Sequence, residues 1–164
     1  WMQASFTLNQ PATIYFLGRQ VTWTDSDGLF GGVAALVLCR QRPTGASPAI
    51  SIYAGSEVGD DSNFTLNTYG VLTVIYNGAS SFLGVNNNVG ATLNAGANVM
   101  GGMTLGANQD TTASSNIQVK EALIYSAAHT TAQITSVVTY LQEVQAGGAK
   151  RGNWKTYRQM RGRR

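Results

Sequence analysis

The sequence predicts an all-β fold: an antiparallel β-sandwich with one C-terminal amphipathic helix and a basic tail. Three observations predict it. Short runs rich in β-branched and aromatic residues recur across residues 2–125, separated by Gly, Pro, Asn and Asp clusters. An Asn-Gly pair joins two such runs, the mark of a hairpin. A 3.6-residue apolar period occurs once, late in the chain.

The elements follow in order. Residues 2–8 alternate, with Met2, Ala4, Phe6 and Leu8 on one side, and Pro11 ends the run. Residues 12–19, ATIYFLGR, read as a buried strand. The segment TDSDG turns the chain into short strands around Leu29-Phe30 and residues 33–42. Residues 43–48 read as a loop, 49–54 (AISIYA) as a strand, and 55–63 as an exposed loop. VLTVIY and SSFLGVN flank Asn77-Gly78 and predict the hairpin, with positive φ angles at the turn. A polar Asn/Gly stretch leads to a strand at 103–106, a loop at 108–115 and a long strand at 116–125. The total is about nine strands, the number expected of a sandwich. Thr130-x-x-Gln133 is a capping box. Behind it Ile134, Val137, Val138, Leu141 and Val144 line one helical face, and Gly147-Gly148 ends the helix. The domain is therefore expected at 1–146, with a Gly-Gly linker and basic tail at 147–164.

At 164 residues the chain suffices for one domain with a real core. Its charged fraction is 12%, about half the usual ~25%. The net charge of +3 averages two unlike regions. Through Ala149 four basic residues (Arg19, Arg40, Arg42, Lys120) face eight acidic ones, a net of −4. The last fifteen residues carry seven basic residues and no acid, a net of +7. The single Cys39 excludes an internal disulfide. No run of about 18 apolar residues predicts a membrane span. WMQASFTL lacks the pattern of a signal peptide, and a chain opening on Trp1 is expected to be a fragment or a processed product.

The second half reads VLTVIYNGASSFLGVNNNVGATL, GGMTLGAN, then IQVKEALIYSAAHTTAQITSVVTYLQ. Its Leu105-Gly106, its Ile117, Glu121 and Tyr125 spacing, and its Tyr140-Leu141 helix end resemble the concanavalin A-like lectin/glucanase superfamily, laminin-G-like modules in particular. QASFTLNQPATIYFLGRQ resembles the opening strands of the same modules, so the resemblance covers roughly residues 2–145. It implies a jelly roll. The low charge, the absence of disulfides and the wealth of Asn, Thr and Gly are similar to bacteriophage and bacterial versions of the superfamily.

Glycoside hydrolysis needs two carboxylates flanking one bond. The E-x-D-x-E run that the superfamily's glucanases carry is absent, and Glu121 stands alone in its strand, a structural residue. His129 is expected at the surface and Cys39 as an inert buried thiol. Asp25, Asp27, Asp60 and Asp61 sit in turns and are candidates for a calcium rim, although the ligand pattern of a calcium loop is incomplete. No other cofactor is expected. Carbohydrate binding needs aromatic platforms with amides or hydroxyls beside them. By residue type the candidates are Trp23, Tyr53, Tyr69, Asn86, Asn87, Asn88 and Asn108.

In the tail, Lys150, Arg151, Lys155, Arg158, Arg161, Arg163 and Arg164 interleave with Trp154 and Tyr157. It reads as an attachment segment for other virion proteins or copies of the same chain, as a nucleic-acid contact, as a lead into a further domain, or as a solvated end. The expectation is a non-catalytic structural and adhesion module of a phage virion protein, such as a head decoration, fibre or tail component, at the virion or extracellular surface and binding host-surface carbohydrate. The alternative is a carbohydrate-binding, lectin-like domain of a bacterial extracellular protein. A glycan hydrolase or lyase fragment is the third reading.

Overall fold

The computed structural model describes residues 1–33, 36–88 and 90–148, with Asp60 described by its backbone alone. The tail residues Lys150, Arg151, Trp154, Lys155, Tyr157, Arg158, Arg161, Arg163 and Arg164 lie outside the described residues. Among the described residues eleven strands form two antiparallel sheets packed face to face. The six-stranded sheet contains β1 (Met2–Ser5), β10 (Gly102–Leu105), β3 (Gly28–Gly31), β4 (Leu38–Gln41), β5 (Ile50–Tyr53) and β6 (Glu57–Asp61), in that spatial order. The five-stranded sheet runs β11 (Ile117–Tyr125), β2 (Ala12–Gln20), β7 (Gly70–Tyr76), β8 (Ser81–Val85) and β9 (Thr92–Leu93). One helix, α1 (Thr131–Gln145), follows β11.

Strand β2 organises the molecule because both of its faces are covered. Its Ile14 and Phe16 point between the sheets, where they join Phe30, Cys39, Ile50, Ile52, Phe64, Leu72 and Val74. Its Tyr15 and Leu17 point the other way, onto a second cluster with Val71 and the helix residues Val137, Val138 and Leu141. The predicted apolar stripe therefore docks on the outer face of the five-stranded sheet. The capping box closes as the sequence requires: Gln133 N–H donates to Thr130 Oγ1 at 3.4 Å and Thr130 N–H to Gln133 Oε1 at 2.8 Å.

Two buried amides tie the sheets together. Gln41, at the end of β4, donates through Nε2 to Gln20 Oε1 at 2.7 Å and to the Thr22 carbonyl at 2.7 Å. Its Oε1 accepts from Thr24 N–H at 2.7 Å. Gln20, at the end of β2, donates to the carbonyls of Phe64 at 2.6 Å and Pro48 at 3.2 Å. Both side chains are fully buried and every polar atom is used, as burial demands.

Three expectations are corrected. Residues 2–8 do not form an amphipathic strand: β1 is exposed on both faces and only Leu8 reaches the core. Residues 57–61 form an edge strand instead of a loop. The Asn77-Gly78 hairpin pairs β7 with β8, but Asn77 keeps a negative φ of −154°, and only Gly78, at +55°, is left-handed. A 3-10 turn, Gly78–Ser80, lengthens the connection, held by Ser81 Oγ donating to the Gly78 carbonyl at 2.8 Å.

One irregularity positions the site. Strands β11 and β2 pair from Ile117 to Val119 and again from Glu121, with Lys120 as the extra residue of a β-bulge. Before the bulge Gln118 lies opposite Arg19; after it Glu121 lies opposite Leu17. The slip puts Lys120 and Glu121 consecutively on the outer face, because Leu123 and Tyr125 then face the helix cluster and Ala122 and Ile124 the inter-sheet core.

Candidate functional site

The seven carbohydrate candidates divide. Tyr69 and Asn86 line one open cleft of about 390 Å³ together with Gln142, Gln145 and Ala146 of the helix end. Asn86, Asn87 and Asn88 line an adjoining smaller recess with Phe82, Thr131, Ile134 and Thr135. Tyr69, immediately before β7, and the Asn86–Asn88 turn, immediately after β8, meet because the hairpin brings those ends together. Trp23, Tyr53 and Asn108 lie elsewhere. Trp23 donates from Nε1 to the Ala49 carbonyl at 2.9 Å. Tyr53 sits on the outer face of the six-stranded sheet, 5.9 Å from the Arg40 guanidinium. Asn108 Oδ1 accepts from Thr112 and Ala113 N–H at 3.1 and 3.3 Å and thereby shapes its own loop.

Tyr69 is held at the corner where β2, β11 and the helix end converge. Its hydroxyl donates to Gln118 Oε1 at 3.0 Å, and the same oxygen accepts from Arg19 Nε at 2.9 Å. The Tyr69 carbonyl accepts from Gln145 Nε2 at 3.3 Å. Lys120 Nζ lies 4.4 Å and Arg19 Cζ 5.3 Å from the ring centroid, both within cation–π range. Lys120 Nζ also donates to the Gln145 carbonyl at 3.2 Å, at the negative end of the helix. Asn86 holds the opposite wall: its Oδ1 accepts from Val71 N–H at 3.0 Å and its backbone is left-handed at φ +55°. Arg19, Gln118, Lys120, Gln142 and Gln145 were not predicted as site residues. They are up to 126 residues apart in sequence (Arg19 to Gln145), and the one signal available was that Lys120 is the only lysine before residue 150.

The carboxylates are engaged elsewhere. Glu57 pairs with Arg40 at 2.6 Å, each half-buried, and also contacts the Ser51 hydroxyl. Glu121, expected as a structural residue, accepts from the Tyr140 hydroxyl at 3.2 Å and so anchors the helix. Asp25 accepts from Ser26 Oγ at 2.8 Å and from Thr44 N–H at 3.1 Å. Asp61 accepts from the Asn63 backbone and side-chain amides, each at 2.8 Å. Burial pushes the Asp27 carboxyl above its ordinary range. Among the described residues no three His, Cys, Asp or Glu side chains gather as a metal cluster.

His129, expected at the surface, is instead half-buried: its Nδ1 lies 2.9 Å from the Tyr15 hydroxyl, and its ring lies 4.3 Å from that of Tyr125. Burial holds its imidazole below the ordinary range. Cys39 is fully buried, and burial raises its thiol far above the usual range. Among the described residues no helix is long and apolar enough to cross a membrane.

The fold is a two-sheet antiparallel β-sandwich, with an open cleft bordered by a ring and amides. No family model matches the chain, and no curated protein matches it. Solved structures share the fold. A candidate carbohydrate-binding protein from Bacteroides ovatus superposes with a TM-score of 0.67 at 13% identity, over 81% of this chain and 42% of that one. The Trypanosoma rangeli sialidase superposes with a TM-score of 0.63 at 10% identity, over 85% of this chain and 24% of that one. A point mutant of HCR D/C VPI 5995 gives 0.58 at 14% identity, over 80% and 36%. The chain thus spans less than half the length of each. The phage affiliation expected from composition draws no support from these structures.

Proposed function

We propose that the chain is a non-catalytic carbohydrate-recognition module. The observation that carries this reading is the cleft in which Tyr69 meets the amides of Asn86, Gln142 and Gln145. An apolar sugar face stacks on a ring while amides satisfy its hydroxyls, so these residue types in one open cleft suit a saccharide. The carbohydrate-binding neighbour with the same fold supports it. Glu57 and Glu121 serve an ion pair and a helix contact, which supports binding in place of hydrolysis. The test is calorimetric titration with a panel of neutral and acidic oligosaccharides. At least one is expected to bind, and Tyr69→Ala to weaken it about tenfold or more with unchanged secondary structure. Binding by none of the panel overturns the reading.

A second reading, a module fixed to a virion or cell surface by its basic end, is favoured by the charge split between body and tail. Removing residues 149–164 is expected to release the module from its particle while saccharide binding persists; retention of the shortened chain on the particle overturns it.

A further inference from the structure

We propose that the Tyr69 cleft selects saccharides that carry a carboxylate. The proposal rests on the carbohydrate reading and adds the class of ligand. Through residue 149 the chain has a net charge of −4 and only four basic residues, yet two of them, Arg19 and Lys120, converge on one tyrosine ring. Neither has an acidic partner among the described residues, and the Arg40–Glu57 ion pair lies on the other sheet. The groups that do meet them are neutral acceptors: Gln118 Oε1 and the Asn67 carbonyl for Arg19, and the Gln145 carbonyl for Lys120. These acceptors orient the two cations without cancelling their charge. Glu121 follows Lys120 on the same face, where its carboxylate accepts from the Tyr140 hydroxyl and forms no ion pair with the lysine.

The placement of Lys120 is a built feature. It is the extra residue of the bulge between β11 and β2, added to the outer face while the residues on either side keep their regular pairing. The cleft itself is lined by half-buried Tyr69 and three amides, and the two cations sit beside it on the Tyr69 ring, so one site borders a ring, donors for hydroxyls and positive charge. A sugar acid uses all three; a neutral sugar leaves both cations without a counter-charge.

The experiment measures affinity of the full chain for two matched pairs: tetragalacturonate against its methyl ester, and sialyllactose against lactose. In the first pair only the carboxylates change; in the second lactose lacks the whole sialic acid, so sialyllactose is also compared with its own methyl ester, and that comparison decides the pair. The proposal expects at least one acid to bind about tenfold or more tighter than its neutral partner at about 0.05 M salt, with the preference shrinking at about 0.5 M. It further expects Arg19→Gln and Lys120→Met to lower the acid's affinity about tenfold more than the neutral partner's, which removes the preference, with the melting temperature read alongside. Equal affinity within both pairs overturns the selectivity and leaves the carbohydrate reading standing. A preference that survives both substitutions assigns it to the seven basic residues of the tail, which the variants retain, and overturns the proposal. Lys120→Met that lowers the melting temperature and both affinities alike makes the lysine a helix-end support and overturns its role. Binding of none of these sugars, nor of any in the wider panel, removes the carbohydrate reading and this proposal together.

Discussion

Gln20 and Gln41 look in sequence like polar strand ends, and nothing within several residues of either marks it as interior. Their partners come from the other sheet and from loops 28 and 44 residues away, so their role becomes visible only in three dimensions. Gln41→Leu leaves Gln20 Oε1, the Thr22 carbonyl and Thr24 N–H without their partner, and is expected to cost about 2–4 kcal/mol in urea denaturation. His129 escaped the sequence for the same reason, since the Tyr15 hydroxyl that meets it lies 114 residues earlier. Its folded pKa lies below that of the unfolded chain, so the unfolded state takes up a proton first as the pH falls. Stability is therefore expected to decline as pH drops below about 6.5, and His129→Gln to flatten that part of the stability curve. An unchanged slope in the variant would show that the imidazole does not contribute. The candidate site was legible only in part: residue type marked Tyr69 and Asn86, but cations delivered by distant strands left no local pattern.

At the scale of elements, legibility followed the distance over which each signal acts. The helix was readable to its caps because a capping box, a 3.6-residue stripe and a terminal glycine are all local. Leu141 is fully buried on that stripe, and Leu141→Asp is expected to cost about 3–5 kcal/mol, measured by thermal or urea unfolding. Wild-type melting would mean that the helix does not dock. Strands with strong apolar content, such as β2 and β7, were equally plain. Strand β6, EVGDD, was not, since Val58 is its only large apolar residue and its strand character comes from pairing with β5. Its charges suit an edge, where they discourage pairing with another chain. The bulge at Lys120 was invisible because IQVKEALIY alternates acceptably in either phase, and only the facing strand decides where it slips.

The molecule as a whole has one continuous core between its sheets and a second cluster beneath the helix, with β2 contributing to both. Shared ownership of that strand predicts a single cooperative transition. Calorimetric and van't Hoff enthalpies are expected to agree, whereas a ratio well above one would mean that the helix layer unfolds separately. The same arrangement divides labour between the faces, since α1 packs on β2, β7 and the end of β11 and leaves the binding corner at its own C-terminal end. Beyond that corner the bulge has a consequence for how such a module changes over generations. Without Lys120, Gln118, Val119 and Glu121 would alternate regularly opposite β2, and every other side chain of β11 would keep its side. A single codon gained or lost therefore adds or removes a cation at the cleft without rewriting the rest of the strand, so lineages with this sandwich can retune the charge they present while inheriting its interior intact.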